Sequence, residues 1–214
     1  MNEQPVETTL YSLDERAPDP TEDWGSERLS LLRVGTLIVG DRRELCLVKS
    51  VSVGGMMVRA YSHIEPGTRV SIELKQDEPI SATARWSRHD CVGVSFDMPI
   101  DVLGLISTSD DGPRPRMPRI EIHCTAWVRE GATVYRTRAV DVSQGGIKVT
   151  SPKELPLDAE VIVTMAGLAP IPGIVRWNNG DSYGIGFHRS LALPALVAWI
   201  QEQRELASRS RAAG

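Results

Sequence analysis

Apolar and polar residues alternate along several short stretches of the chain, with the period of two that is typical of half-buried β-strands. The clearest stretch is 120–128, whose alternate positions are Ile120, Ile122, Cys124, Ala126 and Val128. Gly, Pro, Asn and Asp separate five further predicted strands, at 132–141, 146–151, 159–165, 171–177 and 182–187. Six short strands at this spacing predict a small closed barrel, which leaves no sheet edge exposed.

The first half of the chain repeats this pattern at a constant offset of 91 residues, which carries Ser52 onto Ser143. The same offset carries Arg85-Trp86 onto Arg176-Trp177, Gly93 onto Gly184 and Phe96 onto Phe187. Strands are accordingly predicted at 30–38, 43–50, 54–60, 68–75, 79–87 and 91–96. An offset without gaps that keeps two tryptophans in register indicates a tandem duplication, so the predicted fold is mainly β with two six-stranded barrels.

A helix is predicted after each barrel, and it is longer after the second. Leu193, Leu196, Val197 and Ile200 fall at the i, i+3, i+4 and i+7 positions that form one face of a helix. The counterpart after the first barrel, at about 98–106, is short. Between the two units, Ser, Asp, Gly and Pro dominate and predict a linker.

Charge is concentrated in the first 27 residues, which hold eight acidic residues and one basic residue. That segment carries −7 and the remainder of the chain +3, for a total of −4. It shows no apolar periodicity, so we expect a disordered acidic tail. The predicted organisation is a tail at 1–27, a barrel at 28–106, a linker at 107–118, a barrel with its helix at 119–207 and a tail at 208–214.

Several classes of protein are disfavoured by what the sequence lacks. The sequence contains no run of about 18 apolar residues, so no membrane insertion is predicted. It also contains no basic segment followed by an apolar core, so no secretory signal is predicted. Three scattered cysteines without a CxxC pair suit a reducing cytoplasm, the predicted location. No GxGxxG, P-loop, GxSxG or HExxH motif occurs, so we expect no enzyme, catalytic residue, metal or cofactor.

Two segments of the second unit carry candidate chemistry. Arg114-Pro115-Arg116-Met117-Pro118-Arg119 stands immediately before the first strand, and Asp141-Val142-Ser143-Gln144-Gly145-Gly146 lies between the second and third strands. Together they resemble the signature of the PilZ family, which is an RxxxR segment before the barrel followed by [D/N]xSxxG. PilZ domains are bacterial receptors for cyclic di-GMP, so the resemblance implies that this dinucleotide is the ligand.

The resemblance implies a set of ligand-binding residues, which are Arg114, Arg116, Arg119, Asp141, Ser143, Gly146 and Trp177. Arginine can bind phosphate or the O6/N7 edge of guanine with two parallel hydrogen bonds. A carboxylate can accept the N–H groups of guanine, and a serine hydroxyl can donate to phosphate. Glycine permits close backbone approach and a positive φ, and Trp177 sits where similar domains can stack a base.

The segments also depart from the family pattern. Pro115 stands where the first arginine of the spaced pair belongs, and Arg114 could substitute for it. In the first unit, Ser50 replaces the acid, and Arg28 and Arg33 are separated by serine and leucines. The first unit is therefore interpreted as a degenerate copy that does not bind.

The predicted function is that of a cyclic di-GMP receptor or adaptor. It would signal through altered contacts between domains or with an unidentified protein effector, in the control of motility, attachment or polysaccharide. One alternative is a PilZ-like interaction adaptor that binds no ligand. A barrel that binds single-stranded nucleic acid is disfavoured, because aromatics are only 5% of residues, and no DNA or RNA partner is expected.

Each candidate feature also has a purely structural interpretation. Asp, Ser and Gly are the residues that hairpin turns prefer, so the DxSxxG segment could be a turn alone. The arginines could be a solvated run of linker charge. Trp177 could belong to the core or rim of the barrel.

Overall fold

The computed structural model describes residues 29–75, 78–106 and 117–212. The predicted acidic tail and most of the predicted linker, including Arg114 and Arg116, lie outside these residues. The chain divides into two compact units between Pro118 and Arg119.

Each unit contains six strands. In the first unit they are β1 (Leu29–Val39), β2 (Arg42–Val51), β3 (Gly55–Arg59), β4 (Arg69–Glu73), β5 (Pro79–Arg88) and β6 (Cys91–Phe96). In the second unit they are β7 (Ile120–Glu130), β8 (Thr133–Ser143), β9 (Gly146–Thr150), β10 (Glu160–Met165), β11 (Ile171–Asn179) and β12 (Ser182–Phe187). Every predicted strand coincides with one of these, within two residues at each end.

Both units close into antiparallel barrels with the same topology. The strand order is β1-β2-β3-β6-β5-β4 in the first and β7-β8-β9-β12-β11-β10 in the second, and the end strands pair to close each sheet. Closure satisfies the backbone hydrogen bonds that an open sheet edge would leave unpaired. The prediction of two six-stranded barrels is therefore confirmed.

The barrel interiors are filled by the alternating side chains that the sequence pattern predicted. Fully buried examples are Cys46, Val48, Met56, Ile72 and Val94 in the first barrel and Ala126, Val128, Ala139, Ile147 and Val163 in the second. Burial of each larger aliphatic side chain stabilises the fold by about 1.5–3 kcal/mol. Two-residue hairpins begin with Gly40 and Gly131, whose positive φ (58° and 54°) is the conformation that such turns require.

The segments that follow the two barrels differ. The second barrel is followed by α2 (Leu193–Ala212), and the first by α1 (Val102–Ile106), a single turn of five residues. The expectation of a helix after each barrel is therefore not supported. α1 contains Gly104, which weakens a helix, and the Ser/Asp/Gly/Pro-rich sequence begins directly after it.

Helix α2 anchors to its own barrel through an apolar face. Leu196, Val197, Trp199 and Ile200 are buried, and the Trp199 indole N–H donates to the Ala166 carbonyl at 2.7 Å. The helix continues to Ala212, beyond the predicted domain end at 207. An ion pair between Glu205 and Arg209, one turn apart, supports that extension. No helix in the described part of the chain is both long enough and apolar enough to cross a membrane.

Candidate functional site

The structure brings together Arg119 and Asp141, which are 22 residues apart in the sequence. Arg119 stands immediately before β7, and the pairing of Glu121 with Asp141 aligns the start of β7 with the end of β8. As a result, the Arg119 Nη1 donates to the Asp141 Oδ1 at 2.5 Å. The two side chains are 41% and 20% exposed, so this charge pair is accessible from solvent.

Irregularities in the strands set this arrangement. The register shifts between Glu121 and Cys124 on β7 and between Ala139 and Asp141 on β8. Such bulges redirect the side chains that follow them. Cys124, which the alternating pattern places in the interior, is only half-buried beside the first of these shifts.

Ser143 and Gly146 flank the turn between β8 and β9, and both are buried there. The Ser143 hydroxyl is 2% exposed and donates to the Gly146 carbonyl at 3.3 Å. Gly146 is not among the described glycines with positive φ, contrary to the expectation for this turn. A Cβ at Gly146 would lie 2.6 Å from the Ile185 carbonyl oxygen, so close packing of β9 against β12 requires glycine here.

The same turn is present in the first barrel, which lacks the acidic residue. There the Ser52 hydroxyl donates to the Gly55 carbonyl at 3.2 Å, and Ser52 is also buried. The Ser-x-x-Gly half of the motif is thus a structural element common to both barrels. The acidic position, Asp141 in one barrel and Ser50 in the other, is the half that differs.

Trp177 lies on the same outer face as Asp141. Adjacent strands pair Asp141 with Lys148, Lys148 with Gly184, and Gly184 with Trp177. The Trp177 indole rests on Gly184, where any Cβ would overlap the ring, and it is 40% exposed. Since strands are about 4.8 Å apart, roughly 10 Å separates Asp141 from the strand beneath this indole. We use the name motif row for five residues, which are Arg119, Asp141, Lys148, Gly184 and Trp177.

Lys148 belongs to the motif row but was not identified from the sequence. It stands in the centre of β9, and its side chain has no hydrogen-bond or ion-pair partner among the described residues. The signal that could have found it is the repeat, because the residue 91 positions earlier is Met57. A charged residue in one copy and an apolar residue in the other marks a position where the two barrels have diverged.

The first barrel has the same row without its charges. Ser50, Met57, Gly93 and Trp86 pair in the same order across its strands. Ser50 is 1% exposed and Met57 2%, so neither offers a charged or accessible group. Arg28, which corresponds to Arg119, lies outside the described residues.

A second carboxylate is next to the motif row, because Glu121 lies directly opposite Asp141. Two facing carboxylates repel each other, and the ion pair between Arg119 and Asp141 offsets that repulsion.

Within the described part of the chain, no group of three or more His, Cys, Asp or Glu side chains is placed to hold a metal ion.

The family model of the PilZ domain matches residues 25–106 and again residues 113–202. No curated protein matches the chain.

Similar solved structures include the Borreliella burgdorferi PlzA protein in complex with c-di-GMP, at 13% identity and a TM-score of 0.35, covering 81% of this chain and 88% of that one. The Bacillus subtilis inhibitor of motility (MotI/DgrA) is 14% identical with a TM-score of 0.32, covering 85% of this chain and 100% of that one. YcgR from Escherichia coli, also in complex with c-di-GMP, is 16% identical with a TM-score of 0.29, covering 85% of both chains. Because the PilZ family model matches most of the chain in two consecutive segments, this protein belongs to the PilZ family.

Proposed function

We propose that this protein is a cyclic di-GMP receptor whose second PilZ domain binds the ligand. The observation that carries the proposal is the motif row, where the ion pair of Arg119 and Asp141 shares one face with Lys148 and Trp177. Membership of the PilZ family makes cyclic di-GMP the expected ligand. The uncharged row of the first barrel restricts the proposal to the second domain.

The side chains of the motif row match the groups of the ligand, which has two phosphates and two guanines. Arg119 gives one N–H to Asp141 and keeps others for phosphate or for the O6/N7 edge of guanine. The Asp141 carboxylate can accept guanine N–H groups through the oxygen that Arg119 does not occupy. Lys148 supplies a point charge for phosphate, and the exposed Trp177 ring supplies a stacking surface for a base.

Arg114 and Arg116 remain part of the proposal, although they lie outside the described residues. They precede Arg119 by five and three residues, so an extended chain keeps both within about 18 Å of it. That reach is sufficient for either guanidinium to contact a ligand held by Arg119. Because Pro115 stands in place of the first arginine of the spaced pair, we assign the role of that arginine to Arg114.

Ser143 and Gly146 are assigned an indirect role. Their hydrogen bond closes the turn that follows Asp141, and the backbone of that turn is fixed further by the bond from the Phe187 N–H to the Gly145 carbonyl at 2.9 Å. We infer that these residues position Asp141, whereas Ser143 itself donates to the protein rather than to phosphate.

Binding would alter contacts between the two domains or with a protein effector, and the PilZ family implies outputs such as motility, attachment or polysaccharide control. The proposal involves no chemical reaction, so the chain would act as a receptor and adaptor rather than as an enzyme.

Calorimetric titration of the full chain with cyclic di-GMP tests the proposal. We expect Arg119→Ala to cost about 1.5–3 kcal/mol of binding free energy, the scale of hydrogen bonds between charged groups. Arg129→Ala removes an exposed arginine at the far end of β7, outside the motif row, and Ser50→Ala changes the matching position of the first domain. Both controls should bind like the wild type, and a loss in either that equals that of Arg119→Ala would contradict the assignment.

The second candidate function is an interaction adaptor that has lost the ligand. Pro115 favours it, because this residue removes one member of the arginine pair. Under that alternative the wild-type chain would release no binding heat at millimolar cyclic di-GMP.

A further inference from the structure

A cleft of about 720 Å³ opens on the second barrel across β7, β8 and β9, and Arg136 and Arg138 line it. We propose that this cleft is a second binding site, for a phosphate-bearing ligand of nucleotide size, in which the two arginines hold the phosphate. The volume lies within the usual range for small-molecule sites. This inference does not rest on the proposed function, because it uses none of the residues of the motif row.

The barrel register places both guanidiniums on one face. Arg136 and Arg138 are two residues apart on β8 and both are exposed. Thr137 between them points the other way, and its buried hydroxyl donates to the Ala126 carbonyl at 2.8 Å. Arg138 pairs laterally with Thr125 on β7 and Thr150 on β9, so a threonine flanks it on each side.

Neither arginine has a counter-ion in the described part of the chain. The side chains of Arg136 and Arg138 make no hydrogen bond or ion pair with the described residues, whereas the Arg69 side chain of the first barrel is held by Asp97 at 2.8 Å. Two like charges on one face of a strand repel each other, and an anion that contacts both offsets that repulsion. Arginine is suited to that anion, because its planar donors match the geometry of phosphate oxygens.

The fold itself does not require arginine at these positions. The residues 91 positions earlier, at the same places in the first barrel, are Leu45 and Leu47. That barrel closes with the same topology. The two charges are therefore a property of the second domain, where these positions are exposed, whereas Leu45 is buried in the first.

The remaining lining residues suit a nucleotide. Thr125 and Thr150 present hydroxyls that can donate to phosphate oxygens. One carboxylate also lines the cleft, that of Asp181, in the turn immediately before β12. A carboxylate repels a phosphate that lies beside it, but it can accept hydrogen bonds from the N1 and N2 hydrogens of guanine. Asp181 should therefore favour a guanine nucleotide over free phosphate.

The cleft is adjacent to the motif row but separate from it. On β9, Thr150 in the cleft and Lys148 in the row are two residues apart, which is about 7 Å along a strand. The two sites share no side chain, but ligands of nucleotide size bound in both would be in contact with each other.

Titration of the isotope-labelled full chain with inorganic pyrophosphate and with GMP, followed by amide NMR shifts, tests this inference. We expect shifts centred on Thr125, Arg138 and Thr150. The double variant Arg136→Ala/Arg138→Ala should weaken binding of both probes about tenfold or more, the scale of lost charge-assisted hydrogen bonds. Arg129→Ala removes the same charge outside the cleft and should leave binding unchanged.

Failure to shift these amides at millimolar probe, or equal weakening in the double variant and in Arg129→Ala, would overturn the site. Two further variants assign its ligand and its independence. If Asp181→Asn weakens GMP but not pyrophosphate, the ligand is a guanine nucleotide; if it strengthens both, the ligand is a phosphate without a recognised base. Arg119→Ala should leave the cleft shifts in place even where it abolishes cyclic di-GMP binding, so the two proposals fail separately.

Discussion

At the scale of single residues, the two barrels form an internal comparison, because they share one backbone and differ in a few charged positions. Asp141 and Lys148 of the second barrel correspond to Ser50 and Met57 of the first. The backbone pairing at these positions is the same in both. Ligand binding that depends on these charges should therefore occur in the second barrel. Each position can be tested by substituting the residue that the first barrel has at the same place.

Lys148→Met installs the residue of the first barrel and tests the part of the site that only the structure identified. We expect cyclic di-GMP to bind about ten times more weakly, because one charge-assisted contact to phosphate is lost. Lys148→Arg should retain most of the affinity. Calorimetric titration provides the measurement, and unchanged affinity in Lys148→Met would remove this residue from the site.

Cys46 makes the stability of the first barrel sensitive to alkaline pH. Burial raises the pKa of its thiol from 9.0 to about 12, so the folded state favours the neutral thiol. This stabilisation is complete below about pH 9 and is lost as pH rises toward 12, by at most about 4 kcal/mol. Urea unfolding between pH 7.5 and 11 should show a steeper loss for the wild type than for Cys46→Ala, whereas parallel losses would contradict this effect.

At the scale of elements, each barrel contains a tryptophan of one strand resting on a glycine of the next. Trp177 covers Gly184 in the second barrel and Trp86 covers Gly93 in the first. The glycine lets the indole lie against the backbone, since any Cβ would occupy the space of the ring. The element is thus structural in both barrels, and we propose a binding role for it only in the second.

Gly184→Ala tests that distinction, with Gly93→Ala as the matched control. Each substitution displaces its indole and should lower the free energy of unfolding by about 1–3 kcal/mol, the usual cost of overpacking. Thermal unfolding measures this effect. Only Gly184→Ala should also weaken cyclic di-GMP binding, and an equal loss of affinity in both variants would show that the effect acts through general stability.

At the scale of the whole molecule, ligand should stabilise one domain and leave the other unchanged. At a cyclic di-GMP concentration 100 times the dissociation constant, the second domain should gain about 2.7 kcal/mol. Some backbone amides of β7, β8 and β12 exchange their hydrogens only when the second domain unfolds. Their exchange rates should then fall about 100-fold. Hydrogen exchange with mass spectrometry measures this, and equal protection of β1, β2 and β6 would show that the first domain binds too.

The architecture of this protein was predictable from its sequence because its signals are local or periodic. Alternation with a period of two indicated the strand at 120–128, and turn residues separated the other five strands of that barrel. The offset between Ser52 and Ser143 then indicated a second copy with six more strands. The DxSxxG and arginine segments indicated the family and led to Arg119 and Asp141, which the structure brings into contact. The helix after the first barrel was predicted by analogy between the copies, and the glycine-containing segment forms one turn instead.

The composition of the candidate sites was decided only by the tertiary structure. Barrel closure and the register shifts near Cys124 and Asp141 select which residues of different strands become neighbours, and no local pattern encodes that choice. The register of the β8–β9 hairpin placed Lys148 beside Asp141, and the pairing of β7, β8 and β9 placed Arg136 and Arg138 in one cleft. The burial of Ser143 was likewise visible only in the structure, where its hydroxyl donates to the Gly146 carbonyl of its own turn.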